Sequence, residues 1–232
     1  MPKTDYSKYL GIALSISYIL FSLLVAIHFW CFNESFYRSE HDKIKLYGKS
    51  IAEHIGISED DLDKLTSFTL AYLNDPDASL DIEMEVNGKK REIFTDDEKL
   101  HMIDVQRLNL IANGLLVISG IICAVLLFYF IKTGRFYVLF SSYKKVLIYV
   151  GFVLAILAAW IIIDFDSFWT MFHHLFFPSN DLWLLDLRKD ILIMIVPPEF
   201  FNHLVLTIVV TFVVLLAGFY FIFLFLSRKA LS

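Results

Sequence analysis

The sequence predicts an all-α membrane protein, with four transmembrane helices carrying a small mixed α/β extracytoplasmic cap. Three observations predict it. Apolar residues make up 57% of the 232-residue chain, and its mean hydropathy is +0.63, whereas soluble domains are about 45–50% apolar. Four apolar runs, residues 10–32, 108–131, 146–163 and 204–226, meet the ~20 residues (range ~17–25) needed to cross a bilayer. Charge is also segregated, with the basic residues of the short segments set apart from the acids of two longer ones.

In chain order, the first run is expected to be a retained span. Its apolar stretch exceeds the roughly 7–15 residues of a signal-peptide core, and no small-x-small cleavage site follows. Cys31 follows His28, Phe29 and Trp30, where a lipid-attachment motif would carry small residues. Residues 33–107 then form the cap. Ser58-Glu-Asp-Asp61 is a capping box opening a helix that should stop before Asp75-Pro76. Leu80, Ile82, Met84 and Val86 alternate with acids and precede Asn87-Gly88, which reads as a half-buried strand and a hairpin turn. Thr95-Asp-Asp-Glu98 is a second capping box, and its helix continues through His101 and Asp104 into the second run without a breaker.

Residues 164–202 are too aromatic for a free loop and too interrupted, by Pro178 and Pro197-Pro198, to span. Aromatic residues favour the headgroup level, so this segment is expected along the outer membrane surface. Phe168, Phe172 and Phe176 share a helical stripe. The adjacent His173 and His174 point about 100° apart on a helix, so only one of them faces a given site.

The N-terminal tail (Lys3, Lys8), the loop after the second run (Lys132, Arg135, Lys144, Lys145) and the C-terminal tail (Arg228, Lys229) hold eight basic residues against one acid, Asp5. The other 24 acids lie in residues 33–107 and 164–202. The positive-inside rule then places both termini in the cytoplasm and both acidic segments outside. The net charge of −5 averages two unlike faces and implies no nucleic-acid partner. Cys31 and Cys123 sit at different depths in two spans, so no disulfide is expected.

No Gly-x-Ser-x-Gly elbow, His-Glu-x-x-His or Gly-rich phosphate loop is present. What remains are two histidine sites, His101 and His173/His174, from separate segments. Asp97 (i−4) and Asp104 (i+3) are each spaced to hydrogen-bond His101, and Glu98, Asp104, Asp181 and Asp186 are candidate supporting carboxylates. His28, His41, His54 and His203 read as interfacial or surface residues. Two imidazoles suit general acid–base catalysis without a covalent intermediate. With Asp104 they equally suit a zinc centre with an open position, as in a zinc-dependent membrane lipid hydrolase. A non-enzymatic receptor or assembly subunit is the third reading.

FTDDEKLHMIDV (residues 94–105), followed by a span, and FHHLFFPSNDLWLLD (172–186) with PPEFF (197–201) resemble the bacterial lipoprotein intramolecular transacylases (Lit), four-span cell-membrane proteins with an extracytoplasmic cap. The resemblance covers the whole chain. It is carried by Glu98, His101, Met102, Asp104 and Val105, and by Phe172, His173, Phe176 and Phe177. It implies an acyltransferase that moves the sn-2 acyl chain of a diacylglyceryl lipoprotein to the α-amino group of its N-terminal cysteine, giving a lyso-form lipoprotein. It implies His101 and His173 as the catalytic pair, with His101 taken here as base and His173 as acid or oxyanion stabiliser, and His174 at a variable position. Glu98, Asp104, Phe172, Phe176, Phe177, Trp183 and Asp186 are expected to support that pair or bind substrate. The expected partners are diacylglyceryl-modified lipoproteins and membrane lipid. No metal or other cofactor is expected.

Overall fold

The structure is a computed structural model. It describes residues 6–229; Lys3 and Asp5, counted above with the N-terminal tail, lie outside the described residues. The element order is α1 (Ser7–Cys31), α2 (Glu34–Lys43), α3 (Ile51–Ile55), α4 (Glu59–Asn74), β1 (Glu83–Val86), β2 (Lys89–Glu92), α5 (Asp96–Thr133), α6 (Phe136–Ile163), α7 (Phe165–Phe176), α8 (Ile191–Ile195) and α9 (Pro198–Lys229). Four of these, α1, α5, α6 and α9, are long and apolar enough to cross a membrane. The chain is thus a mostly helical multi-pass membrane protein with one small hairpin, as its composition predicts. Helix α6 begins at Phe136, ten residues before its apolar run, because a turn at Gly134 (φ 66°) ends α5 and nothing interrupts the chain after it.

The described residues form two compact units, and α1, α5, α7 and α9 contribute to both. The first takes in residues 6–28, 113–168 and 208–229. Leu14, Phe130, Leu139, Tyr143, Phe219 and Phe223 form its core. Lipid tails are as apolar as leucine, so close packing and interhelical hydrogen bonds must hold such helices together. Tyr143 donates to the Leu216 carbonyl at 2.8 Å and Tyr18 to that of Leu215 at 2.9 Å. At Gly11 an added Cβ would lie 2.7 Å from Ser142 Oγ, so only glycine permits that approach of α1 and α6.

The second unit combines residues 29–112 with 169–207. Its core includes Ile51, Leu62, Leu65, Phe94, Met102, Ile191 and Phe200. Both N-caps form, and the Thr95 one is a full capping box. Ser58 Oγ accepts from the Asp61 N–H at 3.1 Å and donates to that residue's carboxylate at 2.8 Å. Helix α4 ends at Asn74, where its last carbonyls are met from α5: the Gln106 amide donates to Tyr72 at 2.7 Å and Asp75 at 2.9 Å, and Asn109 donates to Leu73 at 2.8 Å. The hairpin turns at Asn87 (φ 52°) and Gly88 (φ 76°), a left-handed pair that Asn-Gly adopts readily. Pairing runs only from Glu83↔Glu92 to Val86↔Lys89, shorter than the alternation from Leu80 suggests. The second strand ends where the backbone turns into the Thr95 cap, leaving one further bond, Ile93 N–H to the Ile82 carbonyl at 3.0 Å.

Two features of this unit were illegible in sequence. The run ILIMI forms α8, whose Ile191, Leu192, Met194 and Ile195 are buried and which packs against α3. His41, expected on a charged surface, is also buried. Its Nε2–H donates to the Ile195 carbonyl at 3.0 Å, which ties α2 to the end of α8.

Candidate active site

Helix α5 supplies the first imidazole. Thr95 caps the helix, and Glu98 closes the box by accepting from the Thr95 N–H (2.7 Å) and hydroxyl (2.8 Å) on one carboxylate oxygen. The other oxygen accepts from the Leu192 N–H at 2.7 Å, a buried donor that has no helical acceptor at the start of α8. Glu98 is therefore fully buried yet satisfied on both oxygens. Its role is to cap two helices, and both carboxylate oxygens are taken up in doing so. One turn later His101 points into the unit, 8% exposed. Among the described residues its Nδ1 is buried without a hydrogen-bond partner.

Helix α7 and the loop after it supply the rest. His173 is 6% exposed, and its ring centroid lies 6.3 Å from that of His101. Nδ1 of His173 lies 2.8 Å from the Trp169 carbonyl oxygen, one helical turn back. A carbonyl only accepts, so Nδ1 carries the proton, and in the neutral ring Nε2 is the basic nitrogen. Trp183 stacks on the His173 ring at 4.6 Å and Trp169 meets it edge-on at 4.7 Å. Phe177 touches both imidazoles, at 5.3 Å from His101 and 5.8 Å from His173. Phe172 stacks on Trp169 at 5.3 Å and carries Phe176 at 4.8 Å. His174 is exposed and meets only the far side of the cluster, edge-on to Trp183 at 5.4 Å, so the helix buries just one of the adjacent histidines.

Burial disfavours the imidazolium at both positions. It pushes His101 down to about 4, with His173 adding to the shift and Asp104 opposing it. Burial also lowers His173, opposed by its bond to the Trp169 carbonyl, while His174 adds to the lowering. Both rings are therefore neutral at pH 7.

The carboxylates depart from expectation. Neither Asp97 nor Asp104 hydrogen-bonds His101 among the described residues. Asp104 instead accepts from the Asn180 side-chain amide at 3.0 Å, with Arg107 at 3.8 Å on its other oxygen. The spacing to His101 only permits a contact; a residue 76 positions away takes it. Asp186 is bound by Arg188 at 2.9 and 3.0 Å, whose guanidinium holds the carboxyl down to about 2. It sits on the rim of an open cleft of about 550 Å³ that Trp169, Trp183, Leu184, Ile193 and Pro198 also line. Asn180 and Trp169 are the residues that sequence reasoning missed. The Pro-Ser-Asn-Asp run signals a turn, but nothing local reveals its partner.

Fold and site together define a multi-pass membrane protein with a buried pair of imidazoles, one of them held through Nδ1 by a backbone carbonyl. The chain belongs to the lipoprotein intramolecular transacylase Lit family, whose model matches residues 12–201, and it is accordingly an acyltransferase. It is similar to the in meso structure of the membrane integral lipoprotein intramolecular transacylase Lit from Bacillus cereus, at 19% identity and TM-score 0.81 over 98% of each chain. Two structures of that protein with one histidine replaced are also similar at 19% identity. The arginine variant has TM-score 0.73 over 96% of this chain and 92% of that one. The alanine variant has TM-score 0.75 over 96% and 94%. Comparison with curated proteins gives no match.

Proposed function

We propose that this chain moves the sn-2 acyl chain of a diacylglyceryl lipoprotein to the α-amino group of the same molecule's N-terminal cysteine, giving a lyso-form lipoprotein. The observation that carries the reading is the His173 hydrogen bond to the Trp169 carbonyl, which aims a basic Nε2 away from its own helix beside a second, neutral imidazole. Donor ester and acceptor amine belong to one substrate, so no enzyme nucleophile is needed. Attack of the nitrogen on the ester carbonyl closes an eight-membered ring through Cα, Cβ, sulfur and two glyceryl carbons. Such rings close reluctantly, and a walled site that holds amine against ester lowers the entropic barrier.

The proton balance is simple. The nitrogen loses one proton as the amide forms, and the departing glyceryl oxygen gains one. His173 Nε2 takes the first and returns it as the second, with the Trp169 carbonyl supporting the transient imidazolium. His101 is held neutral by burial and donates one N–H to the carbonyl oxygen as it gains charge. This reverses the order expected from sequence, because the hydrogen bond that prepares a base lies on His173.

Among the described residues no group of three His, Cys, Asp or Glu side chains gathers within metal-ligating reach, so the zinc reading lacks a third ligand beside His101 and His173. The charge asymmetry supports placing both termini in the cytoplasm. With His101 about two turns before its apolar run, the site then lies at the outer headgroup level, where the glyceryl ester sits. The test is mass spectrometry of lipoprotein N-termini from cells with and without the protein. A free glyceryl hydroxyl and an N-acylated cysteine, seen only with the protein, are the expected result. Unchanged diacyl N-termini in both would overturn the reading.

A further inference from the structure

The loop from Phe177 to Trp183 touches the site three times. Phe177 packs on both imidazoles, Trp183 stacks on His173, and between them Asn180 reaches α5. The Asn180 amide nitrogen donates to Asp104 at 3.0 Å, while its amide oxygen accepts from the Leu182 N–H at 3.2 Å. Asp104 lies one turn after His101 on the same helix face. One side chain therefore joins the helix that carries the first imidazole to the backbone just before the indole that backs the second.

We infer that Asn180 is a positioning residue for the transfer reaction: its bridge from Asp104 to Leu182 sets the spacing of the His101 and His173 rings. The inference rests on the two-histidine reading above. Asn180 acts on the two rings indirectly, through Asp104 and Trp183. A donor and an acceptor on one short side chain are both needed, because Asp104 offers only acceptors and the Leu182 N–H only donates. Displacement of reacting groups by about 1 Å can cost as much as ~10²-fold in rate, so a loosened brace lowers turnover without removing any group that meets substrate.

Changing Asn180 to aspartate separates the two bonds. N180D keeps the acceptor for Leu182, and with it the loop turn, but sets a second carboxylate against Asp104. D104N combined with N180D rebuilds the bridge with its polarity reversed, because the amide introduced at position 104 then donates to the carboxylate introduced at position 180. With purified full-length protein and a synthetic diacylglyceryl lipopeptide in mixed micelles, N180D should lower kcat roughly tenfold to a hundredfold and leave KM within about twofold. D104N/N180D should recover to within a few-fold of wild type. Full activity in N180D would show that only the turn matters and overturn the bridge. Failure of the double variant to recover, at wild-type abundance and melting temperature, would overturn it too. Misfolding of N180D alone leaves the double variant to decide. A wild-type enzyme that makes no lyso product would refute the underlying reaction instead, whatever the variants do.

Discussion

At the scale of single residues, the site depends on which histidine is buried and which of its nitrogens is free. The pair FHHLFF showed that helix geometry admits only one imidazole, and the resemblance pointed to His173. The bond from Nδ1 to Trp169 was not legible, because an i−4 carbonyl is available to every helical residue and only the packing of Trp183 and Phe177 selects the rotamer. Asp104 misled for the opposite reason: its spacing to His101 is right, but Asn180 occupies it. His173→Ala should lower transfer by at least ~10²-fold, the usual cost of a lost general base, while His174→Ala keeps most of the activity. Equal losses at equal abundance would remove His173 from its role. The rate should also rise with pH through two limbs, one at the substrate's α-amino group, about 7.7–8, and one below the ordinary histidine value of 6.5 as His173 deprotonates; absence of the lower limb would contradict its role as base. His101 carries a linked effect on stability. Its value near 4 in the fold lies below the unfolded 6.5, so the unfolded chain binds more protons between them. Stability is then full above about pH 6.5 and falls as pH drops toward about 4, by roughly 3 kcal/mol at most. Melting temperatures at about pH 7.5 and about pH 4.5 should therefore differ less in H101L than in wild type.

At the scale of elements, the local signals were legible and the distant ones were not. Both N-caps, the Asn-Gly turn and the stop before Asp75-Pro76 appear where nearby residues demand them. Helix α8 did not announce itself, because so short an apolar run shows no period that separates helix from strand. One of its first donors, the Leu192 N–H, is met by Glu98, 94 positions earlier. That double duty makes Glu98 a stability residue. E98Q replaces one acceptor oxygen with a donor while three donors still point at the side chain, and leaving one of them unpaired in a buried place should cost about 1–3 kcal/mol. T95A removes one cap and should cost about 1 kcal/mol. Thermal unfolding in detergent measures both, and a milder effect of E98Q than of T95A would show that the Leu192 bond carries no weight.

At the scale of the whole molecule, hydropathy and charge carried the fold class. The four crossing helices are long enough for composition alone to find them. The composition of the second unit was harder to read, because its two stretches, residues 29–112 and 169–207, are separated in sequence by two spans and share no pattern. The proposed orientation rests on the basic residues of the short segments. In a C31S/C123S background, a single cysteine at Asn87 should react with an impermeant thiol reagent on intact cells, whereas one at Ser141 should not; reaction at Ser141 would invert the topology. The most direct test of intramolecular transfer is a crossover experiment. Purified protein receives two diacylglyceryl lipopeptides together, one with isotopically heavy acyl chains and one with ordinary chains. Transfer within one molecule predicts two lyso products, each equal in mass to its own substrate, with no mixed product and no free fatty acid. A product carrying one heavy and one light chain, or a mass lower by one acyl group, would contradict it.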